Sequence, residues 1–235
     1  MAAKFRHEMK YVIPLSMYHE MTRVFREFLR YDPHTRPNHE YNIRSLYFDD
    51  MYRSAYQEKL DGVQRRKKYR IRIYNSADST IALECKHKDG PYIFKESVKI
   101  TRDQYDGILR GETGFLLHHP APMAKEFAVD CRTSLLRPKV IVEYDREPMI
   151  YDVGTVRVTF DKLLRAMKWD EDMFDPHAPS LSVMGPEQMI LEVKFTGLLP
   201  EKIRRLFTAY EITQTNASKY CMCVDRVEGT LTRFI

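Results

Sequence analysis

Three Glu-x-Lys triplets recur along this 235-residue chain: Glu8-Met9-Lys10, Glu84-Cys85-Lys86 and Glu192-Val193-Lys194. A purely cationic segment, Lys68-Tyr69-Arg70-Ile71-Arg72, carries its bases at the same alternate spacing. In an extended strand, successive side chains point to opposite faces, so each set shares one face. A carboxylate and an ammonium side by side suit phosphoryl transfer: the carboxylate takes a hard divalent cation, and the lysine takes the phosphate that cation bridges. Arginine adds a planar fork that donates paired hydrogen bonds and stays charged. The same pairs can also neutralise each other across neighbouring strands, and a basic strand can simply face water. Spacing alone leaves these alternatives open.

The pattern extends beyond the triplets. Arg6 shares the face of Glu8 and Lys10, and Lys88 shares that of Glu84 and Lys86. Further sets are Ile93, Lys95, Ser97 and Lys99; Ile141, Glu143 and Asp145; and Thr155, Arg157, Thr159 and Asp161. The opposite faces carry Tyr11, Ile71, Ile73, Ile81 and Leu83, as in a sheet with one apolar side. Two bare cations about 5 Å apart repel by roughly 3 kcal/mol at an effective dielectric of 20. Such a face turns inward only where anions or water fill it, and a ligand for it is a polyanion. Near the C-terminus, Ser218-Lys219-Tyr220 opens an expected helix, whose free amides and positive dipole end also favour an anion.

The elements that must position these residues follow from periodicity. Alternation predicts strands at about 4–13, 43–50, 66–74, 80–88, 91–100, 138–147, 155–161 and 188–196, with a weaker one at 163–169. Helical spacing predicts segments at 16–30, 101–111, 122–136, 200–210 and 218–227. The expected architecture is α+β, an eight-stranded antiparallel barrel with helices packed outside.

Composition narrows the function. With 43% hydrophobic residues, residues 1–235 suit a single domain. The net charge of +5 is compatible with an anionic ligand or surface. Cys85, Cys131, Cys221 and Cys223 lack zinc-site spacing and read as reduced thiols of a cytoplasmic protein. No run approaches the ~18 apolar residues of a membrane span. Walker-type loops, G-x-G-x-x-G, G-x-S-x-G and H-E-x-x-H are absent. The basic residues are not interleaved with aromatics as in a nucleic-acid surface, so no nucleic-acid partner is expected.

Taken in order, R-H-E-M-K-Y at 6–11, S-L-Y-F-D-D at 45–50, K-Y-R-I-R-I-Y at 68–74, L-E-C-K-H-K at 83–88 and F-K-E-S-V at 94–98 resemble one family. With V-R-V-T-F-D at 156–161, I-L-E-V-K-F at 190–195 and S-K-Y at 218–220, the set resembles the VTC domain. That domain is the polyphosphate polymerase of the vacuolar transporter chaperone complex, within the triphosphate tunnel metalloenzymes. The resemblance implies an eight-stranded tunnel lined by phosphate-holding bases, which fall by motif on Lys10, Arg70, Arg72, Lys86, Lys95, Arg157 and Lys219. Glu192 matches the metal-binding glutamate. Many tunnel enzymes open with E-x-E-x-K, whereas Arg6 stands at the first carboxylate position here. This agrees with the VTC branch and weakens cyclase and thiamine-triphosphatase readings.

The resulting expectation is an enzyme that transfers the γ-phosphate of ATP to polyphosphate. Lys10, Arg70, Arg72, Lys86, Arg157 and Lys219 act on the phosphates, aided by Lys68, Lys95, Lys194 and Ser218, while Glu192, Glu8 and Glu143 hold Mn²⁺ or Mg²⁺. ATP and polyphosphate or pyrophosphate are the expected ligands, and the alternatives are a tripolyphosphatase or nucleoside triphosphatase of the same fold and a module that binds polyphosphate or another polyanion without turnover. The eukaryotic polymerase sits beside a phosphate-sensing domain and membrane helices, so export here is expected to need a separate membrane-protein partner, with this chain cytoplasmic and peripheral to it.

Overall fold

The computed structural model describes residues 6–230. The strands are β1 (Arg6–Pro14), β2 (Arg30–Tyr31), β3 (Tyr41–Asp49), β4 (Arg65–Tyr74), β5 (Ala77–Asp89), β6 (Tyr92–Ile100), β7 (Arg137–Tyr151), β8 (Val156–Lys168), β9 (Leu181–Ser182) and β10 (Gln188–Phe195). The helices are α1 (Leu15–Phe25), α2 (Ser54–Leu60), α3 (Arg102–Leu109), α4 (Pro122–Thr133), α5 (Glu201–Ala209) and α6 (Lys219–Glu228). Among the described residues, eight strands close into an antiparallel ring in the order β7, β3, β4, β5, β6, β1, β10, β8 and back to β7. The short strands β2 and β9 add to β7 and β8.

Local chemistry accounts for the joints. Asn75 and Ser76 both take positive φ, near 55°, as the tight β4–β5 hairpin requires. The expected strand at 163–169 is the continuation of β8: Leu163 turns to φ 49°, and the register against β7 shifts between Glu143 and Asp145. A bulge of this kind bends the strand without ending it. Thr101 and Gln104 form a reciprocal capping box on α3. Helix α1 is shorter than its apolar stripe suggests, because Arg30 and Tyr31 leave to pair with β7. Helix α2 escaped the periodicity analysis, since none of its residues is buried.

Two apolar layers hold the outside of the ring. On one, Leu46, Phe48, Ile71, Ile73 and Leu83 pack under Tyr105 and Ile108 of α3 and Met123 and Phe127 of α4. On the other, Tyr11, Ile13, Val158, Phe160 and Leu191 pack under Met21 and Phe25 of α1 and Ile203 and Phe207 of α5. Each large side chain buried this way stabilises the fold by about 1.5–3 kcal/mol. Helix α6 departs from the expected outside packing. It rests on Ile43, Val142, Tyr144 and Ile190, which share the inward parity of the ring, and so forms one wall of the interior.

Arg44, 2% exposed, lies on the outer face. Its Nε donates to Glu143 at 2.9 Å and its Nη1 to the Met173 carbonyl at 3.1 Å, pinning the 170–180 loop to the sheet. Replacing it by methionine leaves a buried carboxylate short of a partner, at a cost of about 3 kcal/mol. Arg44→Met is expected to lower Tm by roughly 6–12 °C. An unchanged Tm by calorimetry contradicts the assigned role of this pair.

Candidate functional site

The inner face of the ring encloses a cavity of about 670 Å³. Its lining holds thirteen lysines and arginines against three glutamates, a positive surplus larger than the +5 of the entire chain. Strand parity explains the concentration. Arg6, Glu8 and Lys10 on β1, Arg66, Lys68, Arg70 and Arg72 on β4, Lys86 and Lys88 on β5, and Glu192 and Lys194 on β10 all project to one side. Lys95 joins from β6, Arg146 from β7, Lys59 from α2, and Ser218 and Lys219 from the start of α6.

Deep in the cavity, cations and carboxylates alternate in one network. Arg146 grips Asp161 with two hydrogen bonds of 2.6 and 2.7 Å. Lys219 lies 2.5 Å from Asp161 and 3.6 Å from Glu192, with its ammonium over the Tyr144 ring. Lys194 pairs with Glu192 and lies 3.4 Å from Glu8. Lys10 sits 3.8 Å from Glu8 and 3.9 Å from Glu192, and Lys86 donates to both oxygens of Glu8 at 2.9 and 2.7 Å. Burial opposes ionisation of Glu8, yet Lys10 and Lys86 prevail and hold its carboxyl at about 2. Glu192 is likewise held well below the usual carboxylate range: Lys194, Lys219 and Lys10 overcome its burial. Lys86 is pushed down to about 7 by burial, against the pull of Glu8.

On the β4 wall, Arg70 binds Glu84 through Nε at 2.7 Å and Nη2 at 2.6 Å, and also donates to the Tyr47 hydroxyl at 2.9 Å. Lys95 shares Glu84. Arg72 instead contacts hydroxyls, Ser45 Oγ at 3.0 Å and Tyr144 Oη at 3.2 Å, with no carboxylate in ion-pair range among the described residues. The Lys68 ammonium lies over the Tyr220 ring, 4.5 Å from its centroid, and burial lowers its pKa. On the β4 wall Glu84 thus pairs with Arg70, while Arg72 and Lys68 have no carboxylate in ion-pair range among the described residues.

Lys10, Lys68, Arg70, Arg72, Lys86, Lys95, Lys194, Ser218, Lys219, Glu8 and Glu192 converge on this cavity, as the alternating spacing predicts. Two expected site residues do not. Glu143 faces outward with Arg44, and its oxygens accept from Arg44 and Arg165, so it is not available to a metal in the cavity. The inward residues of β7 have the opposite parity, Tyr144 and Arg146. Arg157 does share the inward parity of Thr159 and Asp161, but Asp32 takes its guanidinium at 2.6 Å and Tyr41 Oη accepts from it at 3.0 Å, and it lines no part of the cavity. Arg146 was missed as a site residue, and so was Lys59, which lies on a helix with no apolar stripe. Arg66 was legible as the next alternate position before Lys68.

Glu8 and Glu192 fit a hard divalent cation. They are the two inward carboxylates that line this part of the cavity from neighbouring strands, both are ionised, and Lys10 sits between them. No group of three or more His, Cys, Asp or Glu with metal-holding arrangement occurs among the described residues. The donor set therefore suits a hard divalent ion that takes one or two carboxylates and completes its shell with other oxygen ligands.

The VTC domain family matches residues 5–227, and the chain belongs to that family. Among curated proteins nothing matches significantly. Two solved structures share the fold. One is a candidate adenylate cyclase from Bacillus halodurans, 12% identical, with TM-score 0.55 over 93% of this chain and 96% of that one. The other is a candidate adenylyl cyclase from Hippeastrum, described as having a dominant triphosphatase activity, 13% identical, with TM-score 0.53 over 98% of both chains.

The position of Lys86 sets a pH dependence. Below about pH 7 the unliganded amine is charged, and above it the amine is neutral, so a polyanion must draw in a proton to be bound by it. Calorimetry with tripolyphosphate is expected to show wild type binding more tightly than Lys86→Met at pH 6, with that advantage shrinking about fivefold or more at pH 8. Comparing the two proteins cancels the titration of the ligand itself. A constant ratio across this range contradicts the assignment.

Proposed function

We propose that this cavity is a phosphotransferase site that moves the γ-phosphoryl group of ATP onto the end of a polyphosphate chain. One observation carries it: an enclosed face with thirteen cations surrounds two carboxylates that stay ionised despite burial. An anion sink needs inward carboxylates only to offset repulsion among its cations, whereas phosphoryl transfer also uses a close pair of them to hold a divalent ion.

Arg70, Arg72 and Lys68 line one wall and neutralise the triphosphate, with Arg72 supplying charge that no acid already occupies. Lys86, Lys194, Lys10 and Lys219 surround the carboxylates and supply ammonium donors to phosphate oxygens beside them. Lys95 and Ser218 extend the cradle. The acceptor is an already ionised phosphate oxygen, so no strong base is required, and catalysis consists of alignment and charge stabilisation. Mn²⁺ or Mg²⁺, held by Glu192 and Glu8, would neutralise charge on the transferring and leaving phosphates. The proposal includes a cytoplasmic location beside a membrane partner that carries polymer away. No described helix is long and apolar enough to cross a membrane.

The test is to incubate the protein with ATP and Mn²⁺ and to follow ADP, free phosphate and polymer together. ADP with polymer is the expected result. ADP with equivalent free phosphate and no polymer makes the protein a triphosphatase, and tight binding without ADP makes it a binding module. Glu192→Gln is expected to slow turnover at least about a hundredfold while changing triphosphate affinity less. Full activity in this variant removes Glu192 from the reaction.

A further inference from the structure

The sequence S-L-Y-F-D-D ends in two aspartates that the phosphate site does not use. Asp49 is 4% exposed and lines no part of the cavity. Its carboxylate accepts the Ala55 and Tyr56 amides at 2.8 and 3.1 Å, capping the start of α2, and also accepts the hydroxyl of Tyr220 in α6. Asp50 accepts the Tyr52 and Ser54 amides at 3.0 and 2.8 Å. From α2, the Tyr56 hydroxyl donates to buried Asp225 of α6 at 2.6 Å, and Arg53 pairs with Glu228 of α6 at 2.9 Å. Helix α2 has seven residues and buries none, so apolar packing does little to fix it. Only the flanks of Ala55 and Tyr56 rest on the α6 cluster. Arg53, just before the helix, holds φ at 59°, a conformation this residue type adopts only when its surroundings impose it. Yet α2 delivers Lys59 to the cavity lining, and α6 delivers Lys219 to the same cavity.

We propose that the polar clasp between α2 and α6, built on Asp49, Tyr56, Asp225 and Tyr220, positions Lys59 as a phosphate-binding residue of the cavity. It ties that ammonium to the helix that carries Lys219, so two chain segments far apart in sequence present their charges at a fixed separation. Asp49 and Tyr56 are positioning residues here: they act through the helix and do not themselves contact phosphate. The inference rests on the cavity being a site for a triphosphate chain.

A double-mutant cycle on tripolyphosphate affinity, measured by calorimetry without divalent metal, tests it. Tyr56→Phe removes one hydroxyl remote from the cavity and is expected to weaken binding about fivefold, the effect of one hydrogen bond. In a Lys59→Ala background the same change is expected to have less than about a twofold effect. Asp49→Asn, a second and stronger probe, is expected to weaken binding about tenfold or more, with a clearly smaller loss when Lys59 is absent. Equal losses in both backgrounds, or unchanged affinity in Tyr56→Phe, overturn the clasp while leaving the cavity assignment standing. Failure of the wild-type protein to bind tripolyphosphate overturns the cavity assignment and the clasp with it.

Discussion

Repulsion between like charges inside a closed ring is the constraint to which the rest of this structure answers. Thirteen cationic side chains share one cavity of about 670 Å³, and the ring stays closed because two apolar layers pull its outer face under α1, α3, α4 and α5. Inside, the carboxylates are spaced so that each serves more than one cation. Asp161 holds Arg146 and Lys219, Glu84 holds Arg70 and Lys95, and Glu8 lies among Lys10, Lys86 and Lys194. This sharing covers the depth of the cavity and leaves Arg72 and Lys68, among the described residues, without a carboxylate in ion-pair range. The cavity thus keeps a surplus of positive over negative side chains, a balance that favours an anionic ligand.

Much of this was legible because strand side chains alternate strictly. Lys68, Arg70 and Arg72, or Glu192 and Lys194, had to share a face whatever the fold, and recurrence around several strands made that face the inner one. Glu143 shows where parity fails. The β7 set was read from Ile141, Glu143 and Asp145, but the cavity is lined by Tyr144 and Arg146, and charge on the outer face is spent clamping the 170–180 loop through Arg44. Arg157 fails differently. Its parity is right, but Asp32, more than a hundred residues earlier, captures it, and no local pattern encodes that pairing. Likewise, the periodicity of α6 shows an apolar stripe without showing that the surface beneath it lies inside the ring.

Membership of the VTC domain family and the likeness of fold to two solved structures agree with the α+β ring of antiparallel strands expected from strand periodicity. The particular arrangement adds something the motifs do not. Of the first-strand carboxylates common in tunnel enzymes only Glu8 is present, and it faces Glu192 across Lys10, so the acidic part of the site is small and the basic part large.

If the cationic surplus inside the ring serves to hold a phosphate chain, as proposed, Arg72 is its sharpest probe. Differential scanning calorimetry of wild type and Arg72→Ala, with and without tripolyphosphate, measures it directly. Ligand at about a hundred times its Kd is predicted to raise the wild-type Tm by roughly 5–11 °C. Arg72→Ala is predicted to lose most of that rise while its unliganded Tm changes little, because relief of repulsion from Arg70 offsets the loss of its hydrogen bonds to Ser45 and Tyr144. A variant that is strongly destabilised without ligand, yet still gains the full rise with it, would show that Arg72 is a structural partner and contradict the account.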